Sequence, residues 1–249
     1  MNILLVNDDG IYSEGILTLA KALMTGNEIT LVAPQGQMSG MGHSISYYGY
    51  VNYTELNILE GARCFAVNGT PADCVKIALN LIYDKKPDLI ISGINKGFNL
   101  GWDIFYSGTV NAALEGAVQG IKSIAISQDY HLKNFEFTSK FLAENLYKLY
   151  EMLPEDAQTV LNINVPSDDK NVLKGVKFSK VGVKKYKESY LFDEKYGYKL
   201  RGVSELGDFN GKDDDVYLYE DKYITVSAVK NDWNDYGYYD KFKKEDFNI

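Results

Sequence analysis

The sequence predicts an α/β fold: a Rossmann-like, mostly parallel sheet flanked by helices, with a C-terminal hairpin and oligomerisation region. Three observations carry this. Short apolar runs alternate with stretches of helical periodicity through residue 165, the pattern of successive βαβ units. The runs are continuously apolar rather than alternating, as strands buried on both faces are. Past residue 170 the composition shifts, and ten of the 20 tyrosines fall between Tyr186 and Tyr239. The expected division is an α/β core over 1–170. The remainder, 171–249, is a β-hairpin arm with a late core strand and a C-terminal segment.

Ile3–Val6 is the first strand, closed by Asn7-Asp8-Asp9-Gly10. Ile16, Leu19, Ala20 and Leu23 recur at helical spacing behind Ser13, a residue type that caps helices. Ile29–Val32 is the second strand, closed by Ala33-Pro34, so the chain opens with a βαβ unit and parallel pairing. Residues 35–50 are rich in Gly, Ser and Met, lack periodicity and read as a loop. Phe65–Val67 is a further strand. Thr70, Pro71 and Asp73 open a helix: Thr caps, Pro suits the first helical position, and Asp completes a capping-box pair. Val75, Ala78, Leu79 and Ile82 form its stripe. Leu89–Ile91 is a strand running into Ser92-Gly93. Val110, Ala113, Leu114, Ala117 and Val118 form a helix opened by Ser107-Gly108-Thr109. Ile124–Ile126 is a strand, and a helix over 135–151 and a strand over 159–165 follow. Beyond them helical periodicity is weak, which predicts strands and hairpins with Ile224–Val229 as a late core strand.

The 249 residues include 26 basic and 34 acidic side chains, for a net charge of −8, and only Arg63 and Arg201 are arginines. A nucleic-acid surface needs a basic patch, and none is evident. The acidity also disfavours anionic membranes. No apolar run approaches the roughly 18 residues of a membrane span. The N-terminus lacks the basic region and apolar stretch of a signal peptide, so the cytoplasm is the expected location. Cys64 and Cys74 sit in apolar surroundings without a CxxC pair and are expected as buried free thiols. A small anionic ligand stays open if a metal or backbone dipoles carry its binding.

In open α/β sheets ligands bind outside the carboxyl ends of the parallel strands. Three polar segments fall there. Asp8 and Asp9 are adjacent carboxylates. Either they belong to a turn, which Asn-Asp-Gly favours, or a hard cation such as Mg²⁺, Mn²⁺ or Ca²⁺ relieves their repulsion. Ser92–Gly101 holds Gly93, Gly97 and Gly101 with Asn95 and Asn99 between. It is either an irregular loop or a place of close backbone approach where an asparagine carbonyl serves as a neutral ligand. Neither G-x-G-x-x-G nor a P-loop occurs. Ser107-Gly108-Thr109 opens a helix whose free N–H groups and dipole suit a phosphate. There the hydroxyls add donors and Gly108 leaves room for the anion; simple capping is the alternative. Lys96 is the cation in these segments. His43 and His131 fit no metal spacing and read as loop histidines rather than catalysts. No G-x-S-x-G elbow supports a Ser-His-Asp triad.

With these segments in hand, the sequence resembles the SurE family of survival-protein nucleotidases over nearly its whole length. The resemblance rests on NDDG (Asn7–Gly10), APQGQMSG (Ala33–Gly40) before His43-Ser44-Ile45, and NGTPADC (Asn68–Cys74). It continues in SGINKGFNLGWDIFYSGTVNAALEG (Ser92–Gly116) and NINVP (Asn162–Pro166). It implies a metal-dependent phosphatase acting on nucleoside 5′-monophosphates, in some members also on 3′-nucleotides or short polyphosphate. By the family pattern Asp8, Asp9, Ser39 and Asn95 ligate one divalent metal per subunit, Mg²⁺ or Mn²⁺; the expected catalytic residues are Asp8 and Asp9, one of which orients or deprotonates a water or attacks directly. Asn99, Ser107, Gly108 and Thr109 would hold the substrate phosphate. A homodimer or homotetramer is implied, with the late hairpin contributing to assembly.

The family pattern often places Asp and, four residues on, His after a late strand. Here Asp232 fits, but Tyr236 stands where the histidine would be, so no acid/base role is carried over to it. Two other classes compete. A covalent aspartyl-phosphate phosphatase uses Asp-x-Asp, whereas these carboxylates are adjacent. A nucleotide-binding stress-response protein without catalysis would not need all four ligand positions filled.

Overall fold

The computed structural model describes residues 1–205, 211–232 and 234–243. β1 (Asn2–Val6) and β2 (Glu28–Pro34) pair in parallel around α1 (Glu14–Leu23). Ser13 occupies the N-cap position of α1, but its hydroxyl accepts from Asn7 Nδ2 at 2.7 Å instead of capping. β3 (Tyr53–Leu56) is an edge strand antiparallel to β4 (Arg63–Val67). The sequence pattern missed it because Tyr53, Thr54 and Glu55 are all exposed and show no apolar face. α2 (Pro71–Ile77) begins with a complete capping box: Thr70 Oγ1 accepts from Asp73 N at 3.1 Å, and Asp73 Oδ2 accepts from Thr70 N at 2.9 Å. It runs on through a π-helical turn, Ala78–Ile82.

β5 (Leu89–Lys96), a 3₁₀ turn (Gly101–Phe105), α3 (Gly108–Val118), β6 (Ser123–Gln128), α4 (Glu136–Met152) and β7 (Thr159–Val165) complete the α/β core. Then come β8 (Gly175–Ser179), β9 (Lys185–Asp193), β10 (Gly197–Glu205), α5 (Asp215–Glu220), β11 (Tyr223–Lys230) and α6 (Tyr236–Phe242). The two late helices depart from the strand-only expectation. Side-chain caps start both: Asp214 accepts from Tyr217 N and Asp235 from Tyr238 N.

The main sheet has the order β3-β4-β2-β1-β5-β6-β7-β11-β8. The six strands from β4 to β7 are mutually parallel. β11 enters antiparallel to β7 and parallel to β8, and β9 and β10 form a separate antiparallel ribbon. Alternate residues of β1 feed two cores. Ile3 and Leu5 pack with Ile16, Leu19 and Leu142, while Leu4 and Val6 pack with Val75 and Ala112. A strand covered on both faces explains its unbroken apolar run. The chain leaves β1 towards β2 on one side, and β5 lies on the other. The crevice outside their carboxyl ends is therefore a topological switch point. Cys64 and Cys74 are free and buried. Among the described residues no helix is long and apolar enough to cross a membrane.

Candidate active site

Asn7 builds the turn after β1, donating to Gly10 O at 2.9 Å and accepting from Gly10 N at 3.2 Å. The turn and the carboxylate pair are thus not rivals, because Asn7 and Gly10 close the turn and leave Asp8 and Asp9 for other partners. Asp8 is 3% exposed. Thr109 donates to both its oxygens, from Oγ1 at 2.6 Å and from N at 3.2 Å. Burial raises the Asp8 carboxyl to about 6 against these bonds, and the Asp9 charge adds to the rise. Burial also raises Asp9, offset by the Lys96 amide, which donates at 3.3 Å, and by the Lys96 charge.

β5 brings the second group. Its register with β6 shifts between Ser92 and Asn95. Gly93 stands there at φ +136, where a Cβ would lie 2.2 Å from Ile126 O, so only glycine fits. Past this bulge Asn95 donates Nδ2 to Gly97 O at 2.9 Å, which turns its own carbonyl oxygen to other use. Asn99 is clamped by β7 and β6: its N donates to Asn164 Oδ1 at 2.7 Å, and its O accepts from Asn162 Nδ2 at 2.8 Å and Asn164 Nδ2 at 3.1 Å. Its own Nδ2 donates to Ser127 Oγ at 2.8 Å.

The third group is the start of α3. Ser107 Oγ accepts from Val110 N at 3.1 Å, so Ser107 is a cap. A Cβ on Gly108 would lie 2.8 Å from Asp8 Cβ and 3.1 Å from Pro71 Cγ. The room that glycine leaves is taken up by Asp8, so its first effect is to let the helix end close on the carboxylate. Thr109 is likewise engaged with Asp8.

A cavity of about 280 Å³ is lined by Asp8, Ser39, Asn95, Lys96, Asn99 and Ser107, among others. Asp9 adjoins it through the Lys96 amide, and Gly108 and Thr109 back its wall through Asp8. Among the described residues no three His, Cys, Asp or Glu side chains cluster as a metal site, so any cation here relies on neutral oxygens. Two carboxylates, one hydroxyl and one amide carbonyl form a hard-oxygen set. The mutual repulsion of Asp8 and Asp9 is what a divalent ion relieves, and the residues fit such an ion.

Residues 3–188 match the family described as survival protein SurE. The chain belongs to the SurE family. It is 36% identical over 260 residues to the 5′-nucleotidase SurE of Natranaerobius thermophilus, covering 99% of each chain. It is 44% identical over 237 residues to the 5′-nucleotidase SurE of Thermosipho melanesiensis, covering 92% of this chain and 91% of that one. Its fold matches the crystal structure of the SurE protein from Aquifex aeolicus with a TM-score of 0.82 at 33% identity, over 98% of both chains.

In this SurE chain neither histidine lines the cavity. His43 bonds Glu115, and His131 is exposed in its loop. Tyr236 donates to Asp232 Oδ2 at 2.7 Å beside a separate hollow shared with Ala117 and Asp156. Sequence reasoning missed Glu115, Ser127, Asn162 and Asn164. The asparagines did leave a signal: they sit two apart, on one face of an otherwise apolar strand.

Proposed function

We propose that the chain is a 5′-nucleotidase, a divalent-metal-dependent phosphomonoesterase converting nucleoside 5′-monophosphates to nucleoside and phosphate, with 3′-nucleotides as further substrates. The observation that supports this most is the convergence of Asp8, Ser39, Asn95 and the Ser107 end of α3 on one cavity at the switch point of the sheet. The family membership and the names of the relatives agree with it.

Asp8, Asp9, Ser39 and Asn95 would hold one Mg²⁺ or Mn²⁺ ion. When bound, that ion neutralises phosphate charge and makes a nearby water more acidic. The Asp8 and Asp9 carboxylates orient the attacking water and accept its proton. Thr109 fixes Asp8 for this on both oxygens. Asn99, Ser107 and the Gly108 amide hold the phosphate oxygens, and the α3 dipole stabilises their charge as the leaving oxygen departs. Helix and metal stand in for arginine, of which this acidic chain has only Arg63 and Arg201, neither lining the cavity.

The arm supports assembly as a homodimer or homotetramer. β9 and β10 form a ribbon outside the main sheet, with Tyr190, Phe192, Tyr196 and Tyr198 exposed. A two-stranded ribbon is marginal alone, and a second copy would cover it. A cytoplasmic location completes the reading.

The deciding experiment is phosphate release from a panel of nucleoside 5′- and 3′-monophosphates with Mg²⁺ or Mn²⁺. Release that EDTA abolishes is expected. No release under any condition would replace this reading with a nucleotide-binding protein that lacks catalysis.

A further inference from the structure

The residues that hold metal and phosphate leave one proton of the reaction without a source. As the ester oxygen of a monophosphate leaves phosphorus it becomes an alkoxide, and a positioned acid speeds its departure. Asp8 and Asp9 take up a proton and do not give one. Neither histidine lines the cavity, and Tyr236 lines a separate hollow.

Asp103 is placed for this task. It lines the Asp8 cavity, and with Tyr106 and Tyr186 it also lines the adjoining hollow of about 890 Å³. A monoester with its phosphate against Ser107 and Asn99 puts its alcohol where there is room, so its ester oxygen lies at the junction beside Asp103. The 3₁₀ turn fixes Asp103 relative to the start of α3, because Asp103 O accepts from Tyr106 N and Ser107 N, each at 3.0 Å. Asp215 accepts from Gly101 N at 3.0 Å and from Gly182 N at 2.7 Å. It thereby joins the turn to the segment that brings in Lys184 and Tyr186.

Those two residues meet Asp103 on one oxygen. Oδ2 accepts from Tyr186 OH at 2.8 Å and lies 3.4 Å from Lys184 Nζ. Among the described residues no side-chain donor is bonded to Oδ1. Lys184 Nζ also stands 3.5 Å from the centroid of the Phe98 ring, which holds it in place. The other charged groups around Asp103 are Asp8 and Lys96 in the cavity and Glu188 in the adjoining hollow. Burial raises the Asp103 carboxyl, against the Lys184 charge and the bonds from Tyr186 and Lys184. A bound phosphate adds a like charge and favours the protonated acid further. Once the proton has left, Tyr186 and Lys184 stabilise the carboxylate.

We propose that Asp103 is the general acid of the reaction and gives its proton to the ester oxygen as that oxygen leaves phosphorus. The proposal rests on the phosphatase reading of the Asp8 cavity. A water oxygen bonds to phosphorus, and its proton passes to Asp8 or Asp9. The bond from phosphorus to the ester oxygen breaks, and the electron pair left on that oxygen takes the Asp103 proton. Alcohol and phosphate depart, and Asp103 regains a proton from solvent.

An acid that serves the leaving oxygen matters most when that oxygen is strongly basic. Phosphate release with Mn²⁺ is therefore compared for two esters. Adenosine 5′-monophosphate leaves as an alkoxide that needs a proton, and 4-nitrophenyl phosphate leaves as a phenolate that does not. Asp103→Asn should lower kcat for the nucleotide about a hundredfold or more, and for the nitrophenyl ester less than about threefold. The retained nitrophenyl activity also shows that the variant is folded, with its metal and phosphate sites intact. Asp103→Glu keeps the acid and should recover part of the nucleotide rate. Tyr186→Phe removes a donor to the Asp103 carboxylate and should slow the nucleotide severalfold more than the nitrophenyl ester. Equal losses on both esters in Asp103→Asn and Tyr186→Phe, or no loss on the nucleotide in Asp103→Asn, overturn the proposal and leave the phosphatase reading standing. Wild type that releases phosphate from neither ester overturns that reading and the proposal with it.

Discussion

His43 Nε2 lies 2.9 Å from Glu115 Oε2, joining the loop over 35–50 to helix α3 across 72 residues of sequence. Glu115 is 3% exposed, and its other oxygen accepts from Lys76 and Gln119, each at 2.7 Å. The same loop is held by Met38 N on Asp8 O at 2.7 Å, by Thr70 Oγ1 on Ser44 O at 2.7 Å and by Ser46 on Asp73. Ser39 sits between these anchors. Glu115→Ala removes the acceptor of three donors and should cost about 2–4 kcal/mol. It should also weaken Mn²⁺ binding roughly tenfold as Ser39 loses its fixed position, read by calorimetry on the folded variant. His43→Ala keeps the Lys76 pair, so its stability loss should be smaller. Unchanged Mn²⁺ affinity in Glu115→Ala would separate this anchor from the site.

The same carboxylate should shape the acid limb of stability. Burial raises Glu115, but the hydrogen bonds from His43, Lys76 and Gln119 and the Lys76 charge together outweigh it and bring the carboxyl from 4.5 down to about 2. A carboxyl lowered by folding stabilises above its unfolded pKa, and that contribution is lost as pH falls through the folded value. Roughly 3 kcal/mol should disappear between about pH 5 and about pH 2. Denaturant melts of wild type and Glu115→Gln at several acid pH values should converge as pH falls. Parallel curves would count against the linkage.

Asp8→Asn and Asn95→Ala should each lower metal-dependent phosphate release by about a hundredfold or more. Neither should unfold the chain. Asp8 is a buried carboxylate whose ionisation burial disfavours, so the neutral amide removes that cost while it removes a ligand, and the amide nitrogen leaves one of the two Thr109 donors without an acceptor. Near-native turnover in both variants would remove them from the metal site.

Much of the fold was legible because β1, β2, β5, β6 and β7 are buried on both faces and so carry short, mainly apolar runs. The capping box at Thr70 and Asp73 was legible because it is local: donor, acceptor and turn lie within four residues. Three features were not. β3 is an exposed edge with no apolar alternation. α5 and α6 are short, and their Asp caps look like any other Asp in a segment rich in them. The loop over 35–50 takes its order from Asp8, Asp73 and Glu115, which are distant in sequence, and periodicity cannot report that. The site was legible where strand ends expose polar groups, at Asp8, Asp9 and Asn95. Ser39 came only from the family pattern, and the support beneath Asn99 was hidden in buried strand positions.

That support yields the last prediction. Asn164 holds Asn99 at both ends of its backbone, accepting from N at 2.7 Å and donating to O at 3.1 Å. Asn164→Ala leaves a buried amide unpaired, a cost of about 1–3 kcal/mol, and lets the Asn99 loop shift against the phosphate position. KM for nucleotide and the inhibition constant for inorganic phosphate should both rise about tenfold. Mn²⁺ affinity should hold, because Asn95 is fixed separately by Gly97. Ser127→Ala frees only the Asn99 side chain and should give the smaller effect of the two. If Asn164→Ala instead weakened the metal and left phosphate inhibition unchanged, Asn99 would belong with the metal ligands and not with the phosphate.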